Sequence, residues 1–123
     1  MNVWNGWICI YRKLQEHWIW NSNEPFDKRS AWIDILLSVN HDRAKIKFDN
    51  TFIEIEKGEM ITSLEKLSKK WKWSRHKVSN FLNALEKDGM LTQIRDNKKT
   101  LIKVENYSKY QFKKIAEDLS RDR

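Results

Sequence analysis

Two amphipathic patterns separated by a very short break constrain this chain more than any other feature. Apolar residues recur at helical spacing over residues 63–71 and again from residue 74 to about residue 88. The run Thr62-Ser63-Leu64-Glu65 matches a capping box, in which the hydroxyl accepts from a backbone N–H and the glutamate reaches back. Ser74 is a second N-cap candidate, and Gly89 suits the left-handed position that follows a helix. The sequence therefore predicts two helices joined by a tight turn.

Alternating patterns with a period of two flank this helix pair on both sides. Residues 46–48 alternate apolar side chains with lysine, residues 53–55 do so with glutamate, and residues 49–51 have turn chemistry. This arrangement predicts a β-hairpin before the helices. Residues 90–95 and 101–105 predict two further strands, which a basic tip joins into a second hairpin.

The first forty residues predict one buried helix and a less regular segment before it. Residues 7–20 space their apolar side chains roughly as a helix does, which predicts a short strand or arm running into a short helix. Pro25 suits the first turn of the next helix, expected from Phe26 to Asn40, because its missing N–H would be unpaired there. Cys9 is expected to be a buried, inert thiol in an apolar strand.

The order helix, strand pair, helix, turn, helix, hairpin predicts an α+β, mainly helical fold. The specific expectation is a winged helix-turn-helix with an extra N-terminal helix and β-hairpin. We expect this DNA-binding domain to cover residues 1–111, and a charged C-terminal tail, helical or disordered, to cover residues 112–123. No apolar run is long enough to span a bilayer, and the N-terminus does not resemble a signal peptide. A cytoplasmic, nucleoid-associated location in a bacterial cell is therefore expected.

The charge balance favours a polyanionic partner. Lys and Arg total 24 against 17 Asp and Glu, a formal net charge of +7. A helix can enter the major groove of duplex DNA, where Asn pairs well with adenine and Arg with guanine. The apolar stripe of the second helix turns its polar side chains outward, and no carboxylate precedes Glu86 in that helix. The predicted recognition-helix contacts are Arg75, His76, Lys77, Ser79, Asn80 and Asn83.

A second set of basic residues is expected to contact the DNA backbone from the end of the first helix and from the second hairpin. One interpretation of these basic residues is that they have no binding role and form a solvated surface that keeps the protein soluble. Their coincidence with the positions where a winged helix touches DNA favours the functional interpretation. The predicted backbone and wing contacts are Lys69, Lys70, Lys72, Arg95, Lys98 and Lys99. We expect Arg75, Asn80 and Asn83 to touch bases, and Lys70, Lys98 and Lys99 to touch phosphates.

Catalytic chemistry has little support in the sequence. His17, His41 and His76 are far apart and fit no metal-ligand spacing, and Cys9 has no neighbouring histidine. We therefore predict no enzyme activity, no catalytic or metal-binding residue and no cofactor. A membrane-surface role is also disfavoured, because no helix places Lys or Arg opposite a bulky apolar face that the core does not need.

A series of short segments extends along the chain to about residue 111, in an order and spacing that are moderately specific. These segments are residues 6–8 and 11–14, the helix 32–41, residues 53–55 with 57–59, 61–67, 74–85, 85–90, 100–104 and 106–110. In these segments the chain resembles the N-terminal domain of phage replisome organisers, which is similar to the N-terminal winged helix of the primosomal DnaD proteins.

The resemblance implies a role in starting DNA replication in a phage, prophage or mobile element. It implies binding of double-stranded DNA at an origin, or of single-stranded or forked DNA, recruitment of a helicase loader, and self-association into a homo-oligomer. Family members usually continue into a second domain that supports further DNA contact or partner binding, so the resemblance of this segment implies DNA binding more directly than helicase-loader recruitment. Two alternatives stay open: a transcriptional regulator that binds an operator as a dimer, and a protein–protein interaction module whose basic charge is incidental.

Overall fold

The computed structural model describes residues 9–107, which form three α-helices, a short 3-10 helix and two small antiparallel sheets. After the 3-10 helix Arg12–Glu16, the helices are α1 (Lys28–Ser38), α2 (Leu64–Trp71) and α3 (Arg75–Lys87). The strands are β1 (Ala44–Phe48), β2 (Thr51–Ile55), β3 (Glu59–Thr62), β4 (Leu91–Arg95) and β5 (Thr100–Val104). The α+β class predicted from the sequence is confirmed.

Both predicted hairpins are present. Strands β1 and β2 pair from Ala44 opposite Ile55 to Phe48 opposite Thr51. Only Asp49 and Asn50 lie between them, and both have positive φ, 49° and 64°, as the tight turns of two-residue hairpins require. In the second sheet β5 is central, between β3 and β4, so the order is β3-β5-β4.

The hydrophobic core lies where the three helices meet the three-stranded sheet. Helix α3 contributes the stripe predicted for it, and all four of its members are buried: Val78, Phe81, Leu82 and Leu85. Trp71 and Trp73 pack edge-on against Phe81, with ring centroids 5.9 and 5.3 Å away. Because these rings end α2 and begin the connection to α3, they fix the two helices against each other.

A buried carboxylate joins the N-terminal segment to α1 and α2. Asp34 is only 1% exposed, and its oxygens accept hydrogen bonds from the indole nitrogens of Trp20 (3.0 Å) and Trp71 (2.9 Å). The Gln15 amide donates to it at 3.0 Å, and the Lys70 ammonium lies 3.0 Å away. A buried charge with this many donors is fully compensated, as burial of a carboxylate requires.

The segment before α1 differs from its prediction. Cys9 is exposed and lies outside any strand, so the expected buried thiol is wrong. The helix of this segment is the 3-10 helix Arg12–Glu16, which buries no residue. Long-range polar bonds hold it instead: the Arg12 guanidinium donates to the Leu37 carbonyl at 3.1 Å and to the Tyr107 hydroxyl at 2.8 Å.

Two helix starts also need correction. Helix α1 begins at Lys28 rather than Phe26, because the Asp27 carboxylate accepts from the Ser30 backbone N–H at 2.7 Å and caps the helix there. The capping box that pairs Thr62 with Glu65 is wrong in register. Ser63 is the N-cap and accepts from the Lys66 N–H. Each start is set by the one side chain whose oxygen reaches a backbone N–H three residues on.

The predicted tail 112–123 and the ends of the predicted domain, residues 1–8 and 108–111, lie outside the described residues. None of the helices within residues 9–107 is both long and apolar enough to cross a membrane.

Candidate nucleic-acid interface

The connection between α2 and α3 holds α3 in a fixed position. Lys72 ends α2 in the left-handed conformation, with φ of 60°. Trp73 is buried, and its indole nitrogen donates to the Phe26 carbonyl at 2.7 Å. Ser68 then accepts from the Trp73 backbone N–H through its carbonyl and donates its hydroxyl to the Trp73 carbonyl. The next residue, Ser74, caps α3 by accepting from the Lys77 N–H at 3.1 Å.

The outer face of α3 is the one predicted from its period. Five of the six predicted side chains are exposed and Ser79 is half-buried, while the intervening apolar positions face the core. The exposed members are Arg75, His76, Lys77, Asn80 and Asn83. Their orientation is therefore confirmed, whereas their contact with bases stays a prediction.

Three members of this face, His76, Lys77 and Asn80, have a partner on their own helix or next to it. The Lys77 ammonium lies 4.3 Å from the centroid of the Trp73 ring, a cation–π contact that holds its stem against the protein. The Asn80 amide nitrogen lies 3.1 Å from the imidazole nitrogen Nε2 of His76, one helical turn away. No residue of the described range 9–107 donates a hydrogen bond to the Asn80 side-chain oxygen, so this oxygen is an acceptor on the exposed face.

Arg95 turns inward from the hairpin onto α3. Its guanidinium donates to the Ser79 hydroxyl at 2.8 Å, to the Ser79 carbonyl at 3.3 Å and to the Asn83 side-chain oxygen at 2.9 Å. It also donates to the Gln93 side chain at 2.8 Å. Four of its five N–H donors are therefore used inside the protein. Such an arginine is better suited to fix the hairpin to α3 than to contact a phosphate itself.

Asn83 is engaged by the same network. Its side-chain oxygen accepts from Arg95 and also from the Gln93 amide, at 2.9 Å each, so both lone pairs are used. Bidentate pairing with adenine needs that oxygen as an acceptor and the amide nitrogen as a donor. Asn83 would have to give up a bond to form such a pair, whereas Asn80 keeps its oxygen available.

Sequence reasoning missed Gln93 and Glu86. The Gln93 amide donates to the Glu86 carboxylate at 3.1 Å as well as to Asn83, which links β4 to the second half of α3. Alternation along β4 could have identified Gln93 from sequence. Residues two apart share a face of a strand, and Arg95, two residues after Gln93, was already a candidate. Glu86 also marks where the carboxylate-free part of α3 ends.

The three predicted lysines of α2 have different surroundings. Lys69 pairs with Glu65 at 3.4 Å, and both side chains are largely exposed. Lys70, 39% exposed, pairs with the buried Asp34, so its charge has a structural role. Lys72 is exposed at the end of α2, and within residues 9–107 its ammonium has no ion pair. Of the three, Lys72 is the cation most available to a phosphate.

Asp96 orders the tip of the second hairpin. Its carboxylate accepts from the backbone N–H groups of Lys98 (2.8 Å) and Lys99 (2.9 Å), and it pairs with the Lys99 ammonium at 3.0 Å. The Lys98 hydrogen bond, followed by those of Lys99, lowers the pKa of Asp96 to about 2. Lys98 is left as the tip cation that has no carboxylate partner within the described part of the chain.

Within residues 9–107, no group of three or more His, Cys, Asp or Glu side chains is placed to hold a metal ion. The chemistry that this surface offers is that of amide, hydroxyl, guanidinium and ammonium donors on a convex helix and an adjoining hairpin. Comparison with known proteins gave no matching family model, curated protein or solved structure.

Proposed function

We propose that this chain is a winged-helix DNA-binding protein in which α3 enters the major groove and the β4–β5 hairpin is the wing. The observation that carries the proposal is the exposed, carboxylate-free first part of α3, with Arg75, Lys77 and Asn80 on its outer face. A helix of 13 residues with its polar side outward matches the element that reads base edges in such proteins. The net charge of +7 supports the electrostatic part of binding.

The hairpin supports the same proposal. Arg95 and Gln93 bond to α3, so the wing and the recognition helix form one rigid unit. A rigid unit loses little conformational entropy on binding, which favours affinity. Strand β4 bonds to α3 through Arg95 and leads directly into the hairpin tip that carries Lys98. We propose that Lys72 and Lys98 contact phosphates and that Asn80 contacts a base.

We further propose that binding serves the initiation of DNA replication in a phage, prophage or mobile element, in the cytoplasm of a bacterial cell. This part of the proposal rests on the resemblance to phage replisome organisers and DnaD-like domains. Such a protein would bind origin duplex or forked DNA and cooperate with replication proteins such as a helicase loader.

Self-association is favoured by a separate observation. The segment before α1 exposes four large apolar side chains: Ile10, Tyr11, Trp18 and Ile19. Trp18 is 74% exposed. Because tryptophan is enriched in protein interfaces, this exposure indicates a contact surface. We propose that this surface contacts a second copy of the chain, which would make the DNA-binding unit a homo-oligomer.

Fluorescence anisotropy with random and AT-rich duplexes across a salt series tests the DNA-binding proposal. Affinity should fall steeply with salt, with a slope of about 0.9 per phosphate contact. Lys72→Ala should lower that slope by about one on every duplex. Asn80→Ala should leave the slope unchanged and reduce the preference between duplexes by about 1–3 kcal/mol.

Thr92→Ala is the matched control for Asn80→Ala, because Thr92 is an exposed polar residue on β4, on the other side of the strand from Gln93. If Asn80→Ala behaved as this control does, the groove assignment would be wrong. No binding by the wild-type protein at low salt would refute the DNA-binding proposal and favour the protein-interaction hypothesis. A preference for half-sites one helical turn apart would favour the operator-binding hypothesis instead.

A further inference from the structure

The tips of the two hairpins lie beside each other. A hollow of about 350 Å³ is lined on one side by Phe48, Asp49 and Thr51 of the first hairpin. Residues 96–99 of the second hairpin line its other side. The extra hairpin therefore extends the surface of the proposed wing.

A neighbouring hollow of about 390 Å³ gathers lysines from three separate elements. Lys47 comes from β1, Lys66 and Lys69 come from α2, and Lys98 comes from the tip of the second hairpin. Lys69 is neutralised by Glu65. The lysine-lined hollow, as we call it, thus keeps three cations whose charge is not balanced by an ion pair in the described part of the chain: Lys47, Lys66 and Lys98.

One of these cations, Lys66, contacts an aromatic ring instead of pairing with a carboxylate. The Lys66 ammonium lies 4.7 Å from the centroid of the Phe48 ring. This contact fixes the stem of Lys66 and leaves its charge uncompensated, since a ring carries no net charge. Asp49 is the remaining carboxylate at this hollow, so the local charge stays positive.

An array of lysines on neighbouring elements suits the repeated charges of a nucleic-acid backbone. Lysine acts as a mobile point charge, so it needs no fixed geometry toward a phosphate, unlike arginine. Bringing three such cations together in the free protein costs repulsion, and a polyanion that releases its counterions on binding relieves this cost. The hollow adjoins Lys98, which already belongs to the proposed wing.

We propose that the tip of the β1–β2 hairpin is a second DNA-contact element, in which Lys47 and Lys66 bind the phosphodiester backbone of the duplex beside the wing. This inference rests on the proposed function and extends it. It assigns a role to a hairpin that the helix–turn–helix interpretation leaves without one. It also predicts a longer stretch of contacted duplex than α3 and one wing alone would give.

The test compares wild-type protein with Lys47→Ala/Lys66→Ala in anisotropy titrations over a salt series. Two lost phosphate contacts should lower the salt slope by about 1.8 and should weaken binding roughly eightfold per lysine at 0.1 M salt. The matched control is Lys57→Ala/Lys103→Ala, which removes two exposed lysines that line neither hollow. Lys47→Arg/Lys66→Arg should restore binding, because it restores the charge.

Duplex length gives an independent measurement. Wild-type affinity should rise with duplex length to a plateau, and the alanine double variant should reach its plateau at a shorter length. The double variant also removes the Lys66–Phe48 contact, so its melting temperature is compared with that of the wild-type protein. If the melting temperature is lower, Lys47→Ala alone serves as the test, and it should lower the salt slope by about 0.9.

Two results would overturn the inference, and they are distinguishable. If the double variant binds like its control at every duplex length while Lys72→Ala still lowers the slope, the second contact element is wrong and the DNA-binding proposal stands. If the wild-type protein binds no duplex at low salt, both proposals fail together.

Discussion

Replacing Asp34 with alanine should destabilise the protein more than any surface change. Its carboxylate accepts hydrogen bonds from Gln15, Trp20 and Trp71 and pairs with Lys70, so one side chain holds together the N-terminal segment, α1 and α2. Alanine removes all four interactions and also leaves space in a position that is 1% exposed.

The expected loss in the free energy of unfolding depends on whether each group that Asp34 contacts can be hydrated once the carboxylate is removed. The Trp71 indole is fully buried, so its N–H would lose the Asp34 carboxylate as acceptor, at a cost of about 1–3 kcal/mol. Removing one partner of a buried ion pair costs about 3–5 kcal/mol. Lys70 is 39% exposed, and Gln15 and Trp20 are half-buried, so water can replace part of what these three lose. We therefore expect a loss near the lower end, about 3 kcal/mol.

Urea denaturation followed by tryptophan fluorescence measures this loss. Asp42→Ala is the control, because Asp42 is an exposed aspartate after α1, and a surface change of this kind alters stability by about 0.5 kcal/mol or less. A double-mutant cycle with Lys70→Met then isolates the ion pair. A loss below about 1 kcal/mol for Asp34→Ala, with an unchanged m-value, would refute the claim that this carboxylate joins the three segments.

Three further substitutions and one pH titration test local features. Lys72→Gly should raise the free energy of unfolding by about 0.5–1 kcal/mol in urea denaturation, because glycine adopts the left-handed conformation of this position without strain. The same variant should lower the salt slope of DNA binding by about 0.9, because a phosphate contact is lost. A decrease in both stability and salt slope would contradict this prediction. Gly89→Ala should cost about 1 kcal/mol for its positive φ. Gly58→Ala should cost at least about 1 kcal/mol more than Gly89→Ala, because its added Cβ would lie 2.9 Å from Tyr107 Cβ; equal losses would contradict it. The pKa of Asp96 is lowered from 3.8 to about 2, so its support of the hairpin tip should be complete above about pH 4 and lost as the pH falls toward 2; an NMR titration midpoint near 3.8 would contradict it.

The elements that local signals specify were predictable from sequence. Ser74 caps α3 as predicted, and Gly89 has the positive φ expected at the end of α3. The start of α2 was predicted within one residue, because Ser63 rather than Thr62 is its N-cap. The two hairpins follow from alternation around polar turns. These signals act over a few residues, so no knowledge of distant partners is needed to interpret them.

The N-terminal segment was predicted poorly because its partners are distant in sequence. Arg12 bonds to Leu37 and to Tyr107, which lie 25 and 95 residues away. A helical spacing of apolar residues indicates burial, but this segment is held by polar side chains and leaves Trp18 exposed. Cys9 was misplaced for the same reason, because an apolar neighbourhood in sequence did not become one in space.

In the candidate interface, too, some features follow from local sequence patterns and others depend on packing between elements. The outer face of α3 follows from its period, so its members could be named from sequence. The bonds that Arg95 and Gln93 make to Asn83 depend on how β4 packs beside α3, which no local pattern encodes. Sequence therefore predicted which residues share the face, and the structure separates those that are engaged within the protein from those that are exposed and available.

This separation decides which substitution can isolate base contact. A change at Asn83 also removes the acceptor of Arg95 and Gln93, so it would loosen the hairpin from α3 and alter phosphate and base contacts together. Among residues 9–107, the Asn80 side chain forms a hydrogen bond with His76 on the same helix and none with the hairpin. A loss of sequence preference in Asn80→Ala with an unchanged salt slope would therefore report on the groove itself, whereas the same loss in Asn83→Ala would not.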